Sequence, residues 1–123
     1  MNDLVSENGR MISVLAKSAE VEKWIDPYRG SISIGAVNGI SSTVVSGGKK
    51  GIEQFTAICE KQGVKWKELN IDRAGHSPLM DTIRLPFLDV LKKIDYKTPK
   101  IPIVSNLTGL PGGETEMISP EYW

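Results

Sequence analysis

Ser31-Ile32-Ser33-Ile34-Gly35-Ala36-Val37-Asn38-Gly39-Ile40-Ser41-Ser42-Thr43-Val44-Val45-Ser46-Gly47-Gly48 reads as two strands laid back to back. Ser-Ile-Ser-Ile alternates with the two-residue period of a strand, Thr43 to Ser46 is rich in β-branched residues, and Asn38-Gly39 is a turn signal. The spacing predicts an adjacent antiparallel pair that ends at Gly47-Gly48.

The flanks supply one strand and one helix on each side. Gly9 to Ala16 is a short apolar run suited to a strand. Ser18 follows as a helix N-cap with Glu20 and Glu22 behind it, Val21, Trp24 and Ile25 share a helical face, and Asp26-Pro27 stops the helix. After the hairpin, Gly51 to Gln62 places Ile52, Phe55, Ile58 and Cys59 at helical spacing and closes at Gly63. Val64, Trp66, Leu69 and Ile71 then form a fourth strand. The order β-α-β-β-α-β predicts an α+β, ferredoxin-like subdomain over 9–72, an antiparallel four-stranded sheet with both helices on one face. Residues 1–8 are polar and read as a flexible N-terminus.

Beyond residue 72 the pattern changes. Ser77-Pro78 opens a helix over 77–95 with Leu79, Met80, Ile83, Phe87, Leu88, Val90, Leu91 and Ile94 as its apolar stripe and Pro86 as a kink or break. This apolar face predicts a surface that further protein covers. A strand is expected over 101–106, then the turn-rich Pro111-Gly112-Gly113. Ser119-Pro120 starts another helix, and the sequence stops one turn into it, so it reads as cut.

Composition excludes several classes. The chain has 123 residues, enough for one domain or part of one. Fifteen basic residues balance fifteen acidic ones and are scattered among them, which argues against nucleic-acid binding. No run of membrane-spanning length and no signal-peptide pattern occurs, so no membrane association is expected. The single cysteine, Cys59, forbids an internal disulfide or a multi-cysteine metal site and fits a reducing cytoplasm. On an apolar helix face it reads as a buried, inert thiol; Trp24 and Trp66 read as packing residues.

The chemistry is concentrated in Ala74-Gly75-His76-Ser77-Pro78. His76 is the only histidine, and imidazole transfers protons near neutral pH. Taken alone, a single histidine in a small domain is more often a surface or capping residue than a catalyst. Its surroundings decide. Gly9-Arg10-Met11, Ala36-Val37-Asn38-Gly39 with Val44-Val45-Ser46-Gly47, His76-Ser77-Pro78-Leu79-Met80 and Ile103-Val104-Ser105-Asn106-Leu107-Thr108-Gly109 follow one another in the order of four motifs of a known family. The chain resembles, over essentially its whole length, the malonyl-CoA:acyl-carrier-protein transacylases and the acyltransferase domains of modular polyketide synthases.

That resemblance implies an enzyme that moves a malonyl-type acyl group from CoA, through a serine ester, to the phosphopantetheine thiol of an acyl carrier protein. His76 takes the place of the general base. Asn38 corresponds to an asparagine beside the acyl-CoA cleft, although Ile40 replaces the proline of the family's Asn-Gly-Pro, and an Asn-Gly turn explains Asn38 equally well. Gly75 and Arg73 fall in the four-residue stretch that tracks acyl choice. That stretch tends to read His-Ala-Phe-His for malonyl and Tyr-Ala-Ser-His for methylmalonyl units, and Arg73-Ala74-Gly75-His76 matches neither. Gly75 would open volume beside the acyl group; Arg73 is a candidate carboxylate partner, with a solvated arginine as the plainer reading.

The family's nucleophile sits in a Gly-His-Ser-x-Gly elbow, and no serine of this chain has that setting. The family's extender-binding arginine lies upstream of the small subdomain, and the carbonyl that orients the histidine lies just past the Tyr-Trp pair. The resemblance therefore implies a small subdomain over 9–72 plus a partial large-subdomain segment over 73–123. Such a chain would be inactive alone, would bind no cofactor of its own, and would need the rest of the acyltransferase. The competing expectation is a ferredoxin-like binding module, or the complementing half of a split acyltransferase.

Overall fold

The computed structural model describes residues 9–71, 74–113 and 115–123. Contacts divide the chain into Met1–Ile83 and Arg84–Trp123. The first unit holds β1 (Gly9–Val14), α1 (Ser18–Ile25), β2 (Ile32–Gly39), β3 (Ser42–Gly48), α2 (Lys49–Lys61) and β4 (Trp66–Glu68). The strands lie in the order β2-β3-β1-β4 with every neighbour antiparallel, which is the expected ferredoxin-like arrangement.

One face of the sheet carries the core. Ile12 and Val14 of β1, Val45 of β3 and Ile32 of β2 alternate onto the same side, where they meet Val21 and Ile25 of α1 and Ile52, Phe55 and Cys59 of α2. Thr43 is also fully buried there, its hydroxyl donating to the Ala16 carbonyl at 2.9 Å. Burial pushes the Cys59 thiol up to about 11. Cys59 is therefore expected to resist a thiol reagent at pH 8 in the native protein and to react at once in denaturant. Fast native labelling would contradict its place in the core.

Several boundaries differ from those expected. Helix α1 is capped by Lys17, whose N–H is taken by the Glu20 carboxylate at 3.2 Å, rather than by Ser18. The hairpin turns at Ile40-Ser41, because β2 runs on through Asn38-Gly39 with two irregularities in its pairing. β4 has only three residues, although Leu15 N–H to Lys65 O and Leu69 N–H to Met11 O, both 2.9 Å, lengthen the pairing at each end. Trp24 packs on the core as expected, whereas Trp66 is 37% exposed on the edge strand.

The division by contacts falls after Ile83. The expected helix over 77–95 is a 3-10 turn, Pro78–Met80, leading into α3 (Asp81–Leu91), which continues through Pro86. Over 101–106 there is no strand, only an isolated bridge between Val104 and Pro111. Ile101, Ile103 and Val104 are exposed, and among the described residues no neighbouring strand offers them a ladder. Burial of β-prone side chains stabilises a strand only when a partner is present.

Within Arg84–Trp123, Ser105 is buried and organises its loop by accepting the N–H groups of Leu107 and Thr108 and by a 2.7 Å bond with the Tyr122 hydroxyl. Ser119 caps a 3-10 turn, Pro120–Tyr122, as its Ser-Pro pattern foretells, and Trp123 donates its indole N–H to the Met117 carbonyl at 3.0 Å. Of the expected apolar stripe, Phe87, Val90 and Ile94 are exposed while Ile83 and Leu91 are buried; Leu85, outside that stripe, is exposed too, and Leu107 is 75% exposed. No helix among the described residues is long and apolar enough to cross a membrane.

Candidate active site

The face of the sheet opposite the helices is small and polar. Met11 of β1, Ser46 of β3 and Ser33 of β2 are register partners across it. Two extra residues in β2 break its pairing with β3: Gly35, between Ile34 and Ala36, and Asn38, between Val37 and Gly39. Such bulges bend a strand and re-aim what lies beside it.

The His76 segment lies on this face. A Cβ placed on Gly35 would stand 3.4 Å from Cβ of Ser46, 3.5 Å from Cβ of His76 and 3.6 Å from Cε of Met11. The β2 backbone at Gly35 therefore lies within ordinary packing distance of the histidine. The Ser33 hydroxyl donates to the His76 carbonyl at 2.6 Å, and the Ser46 hydroxyl donates to the Gly75 carbonyl. Ala74 is fully buried and Ser77 nearly so, with the Ser77 hydroxyl on the Ala74 carbonyl at 2.7 Å and accepting the Leu79 N–H at 3.3 Å. Both ends of the segment are anchored, while the imidazole between them is exposed.

His76 has φ of 58°, and among the described residues it is the only non-glycine residue with positive φ. Histidine is one of the residues that tolerates this left-handed region, but the surroundings must hold it there. An anchored backbone with an exposed ring is the arrangement a proton carrier needs. It fixes position without burying the nitrogens.

Of the other sequence candidates, Gly75 is adjacent and open, with no atom within 4 Å of a Cβ placed on it. Asn38 is exposed at the second bulge, three residues beyond Gly35, or about 10 Å along an extended strand. Arg73 lies outside the described residues. The residues that hold the segment are Ser33, Ser46 and Gly35; of these only Ser46 falls in a motif of the sequence, Val44-Val45-Ser46-Gly47, and none stands out there as an anchor. Their signal is the strand period: Ser33 and Ser46 fall on the face that Ile32, Ile34 and Val45 leave. No group of three or more His, Cys, Asp or Glu able to hold a metal occurs among the described residues.

Comparison with known proteins identifies the family. Residues 1–123 match the model of the acyl transferase domain. The spectinabilin polyketide synthase system protein NorB of Streptomyces orinoci is 36% identical over 115 residues, covering 94% of this chain and 5% of NorB. The erythronolide synthase EryA3 of Saccharopolyspora erythraea is 36% identical over 115 residues, 94% of this chain and 4% of that protein. The crystal structure of the acyltransferase domain from the second module of the salinomycin polyketide synthase superposes with a TM-score of 0.89 at 33% identity, covering 99% of this chain and 28% of that one. FabD from Acinetobacter baumannii shares the fold, with a TM-score of 0.85 at 19% identity. With a ferredoxin-like sheet, a His-Ser-Pro segment seated on its free face and a family match over its whole length, the chain belongs to the acyl transferase domain family, as part of an acyltransferase domain of the polyketide synthase type.

Proposed function

We propose that His76 is the general base of an acyl transfer from acyl-CoA to the phosphopantetheine thiol of an acyl carrier protein, acting on a serine supplied by acyltransferase residues outside this chain. The observation that carries the reading is the anchored, left-handed, solvent-facing His76 beside Gly35. The relatives named above are polyketide synthases, of which this chain spans a twentieth or less.

A serine hydroxyl is a weak nucleophile until a base takes its proton. In the first step the imidazole accepts that proton as the serine oxygen attacks the thioester carbonyl. The imidazolium then returns it to the departing CoA thiolate. In the second step the carrier thiol gives its proton to the imidazole, its sulfur attacks the serine ester, and the serine oxygen leaves with the proton. One imidazole serves both steps. The chain alone is inactive in this reading. The open apolar side chains of α3 and the loop after it favour covering by further acyltransferase residues over a free-standing binding module.

In this reading Gly75 sets the acyl group, Asn38 is a further substrate contact, and Arg73 is a candidate partner for an acyl carboxylate. A Cβ at Gly75 would meet no atom within 4 Å, so a side chain can branch there, and Gly75→Phe is the informative substitution. In an acyltransferase assembled from this chain and a serine-elbow segment, the substitution is expected to lower transfer of acyl groups larger than malonyl, relative to malonyl, by about 10-fold or more. An unchanged ratio contradicts the role of Gly75. No transfer by the assembled enzyme with any acyl-CoA contradicts the function.

A further inference from the structure

We propose that Ser33 and Ser46 are positioning residues, a cross-strand hydroxyl pair that holds the Gly75 and His76 carbonyls and thereby sets the left-handed backbone from which the imidazole projects. Its link to catalysis rests on the reading of His76 as base; its structural part does not. Ser33 and Ser46 are direct register partners on β2 and β3. Side chains at such positions stand about 5 Å apart on one face of a sheet. They donate to successive carbonyls, Ser33 to His76 and Ser46 to Gly75.

Successive carbonyls of an extended chain point to opposite sides, whereas a residue in a helical or left-handed basin turns them the same way. One sheet face can bond both only if His76 leaves the extended region, and its φ of 58° shows that it does. Gly35, the bulged residue of β2, packs beside Ser46 and His76 at this approach. Ser46 is fully buried and Ser33 half-buried, so water replaces the Ser33 hydroxyl more readily than that of Ser46. A stability role alone would make the serines interchangeable with any residue that keeps the sheet intact. A positioning role requires the hydroxyl.

The test has two arms. In the 123-residue chain, the His76 backbone is followed by its Cα and Cβ shifts and its intraresidue amide-to-Hα cross-peak, which report the sign of φ, while dispersed β1 and β3 amides report the fold. Ser33→Ala and Ser46→Ala are expected to erase the left-handed signature with the sheet signals kept, and Ser33→Thr to preserve it. If Ser46→Ala also unfolds the sheet, the half-buried Ser33→Ala still decides. In the enzyme assembled with the serine-elbow segment, Ser33→Ala is expected to lower kcat about 10-fold with KM for acyl-CoA unchanged, and Ser33→Thr to restore it. A left-handed signature that survives Ser33→Ala, or a kcat equal to wild type, overturns the proposal. If His76→Asn itself leaves transfer unchanged, the base role fails, and the backbone arm still decides the positioning by the two serines.

Discussion

Replacing His76 with asparagine in the assembled acyltransferase is expected to lower kcat by about 10²–10⁴-fold, the range general-base catalysis supplies. KM for acyl-CoA should stay within a few-fold, because the imidazole acts on a proton in the transition state rather than on the bound ground state. Asparagine is the informative substitution. Like histidine it tolerates φ of 58°, so the Gly75 and His76 carbonyls keep their serine donors and the segment stays seated. Alanine removes the base too, but adds a strain of about 1–2 kcal/mol in the left-handed region. Equal rates for the asparagine variant and wild type, measured as acyl-carrier formation, would remove His76 from the chemistry.

The largest expected loss of stability comes from Gly47→Ala. Gly47 pairs with Ile32 across β2 and β3, and a Cβ there would fall 2.3 Å from the Ser31 carbonyl oxygen and 2.8 Å from Cα of Ile32. Those neighbours are backbone, held in turn by the Gly48 N–H to Ser31 O bond at 3.1 Å, so they cannot swing aside. Relief requires parting the central hairpin where Ile32 is fully buried in the core. A destabilisation of about 3 kcal/mol or more is expected, at the upper end of overpacking effects. The denaturant midpoint of the variant measures it. A midpoint within error of wild type would mean that β2 and β3 do not approach as described.

These two sites show what the sequence could disclose. The period-2 run of Ser31 to Ile34, the β-branched Thr43 to Val45 and the helical stripe of Ile52, Phe55 and Cys59 report burial on one side, and burial is what local periodicity encodes. The ferredoxin-like order follows from them. The Asn38-Gly39 turn signal misled because β2 inserts extra residues at Gly35 and Asn38, which carries the strand past the turn-forming pair to Ile40-Ser41. A bulge is set by cross-strand pairing and leaves no local mark.

The strand over 101–106 failed for a related reason. Ile101, Ile103 and Val104 have the propensity, but a strand exists only as a member of a sheet, and none among the described residues pairs with them. At the candidate site, the Ser-Pro-Leu-Met context singles out His76 in the sequence. The anchoring roles of Ser33 and Ser46 are not visible there, since a serine on the polar side of a strand reads as solvated until its partner, 43 or 29 residues away, is placed against it.

The most direct measurement is intact-protein mass after incubation with an acyl-CoA, for the chain alone, for a segment bearing the Gly-His-Ser-x-Gly elbow, and for the two together. The expected result is no acyl adduct on this chain in any mixture. An acyl ester should form rapidly on the elbow serine only when the chain carrying His76 is present, and slowly with His76→Asn. An adduct on a serine of this chain, or elbow acylation equally fast without His76, would contradict the assignment of His76 as the base of a nucleophile supplied from outside the chain.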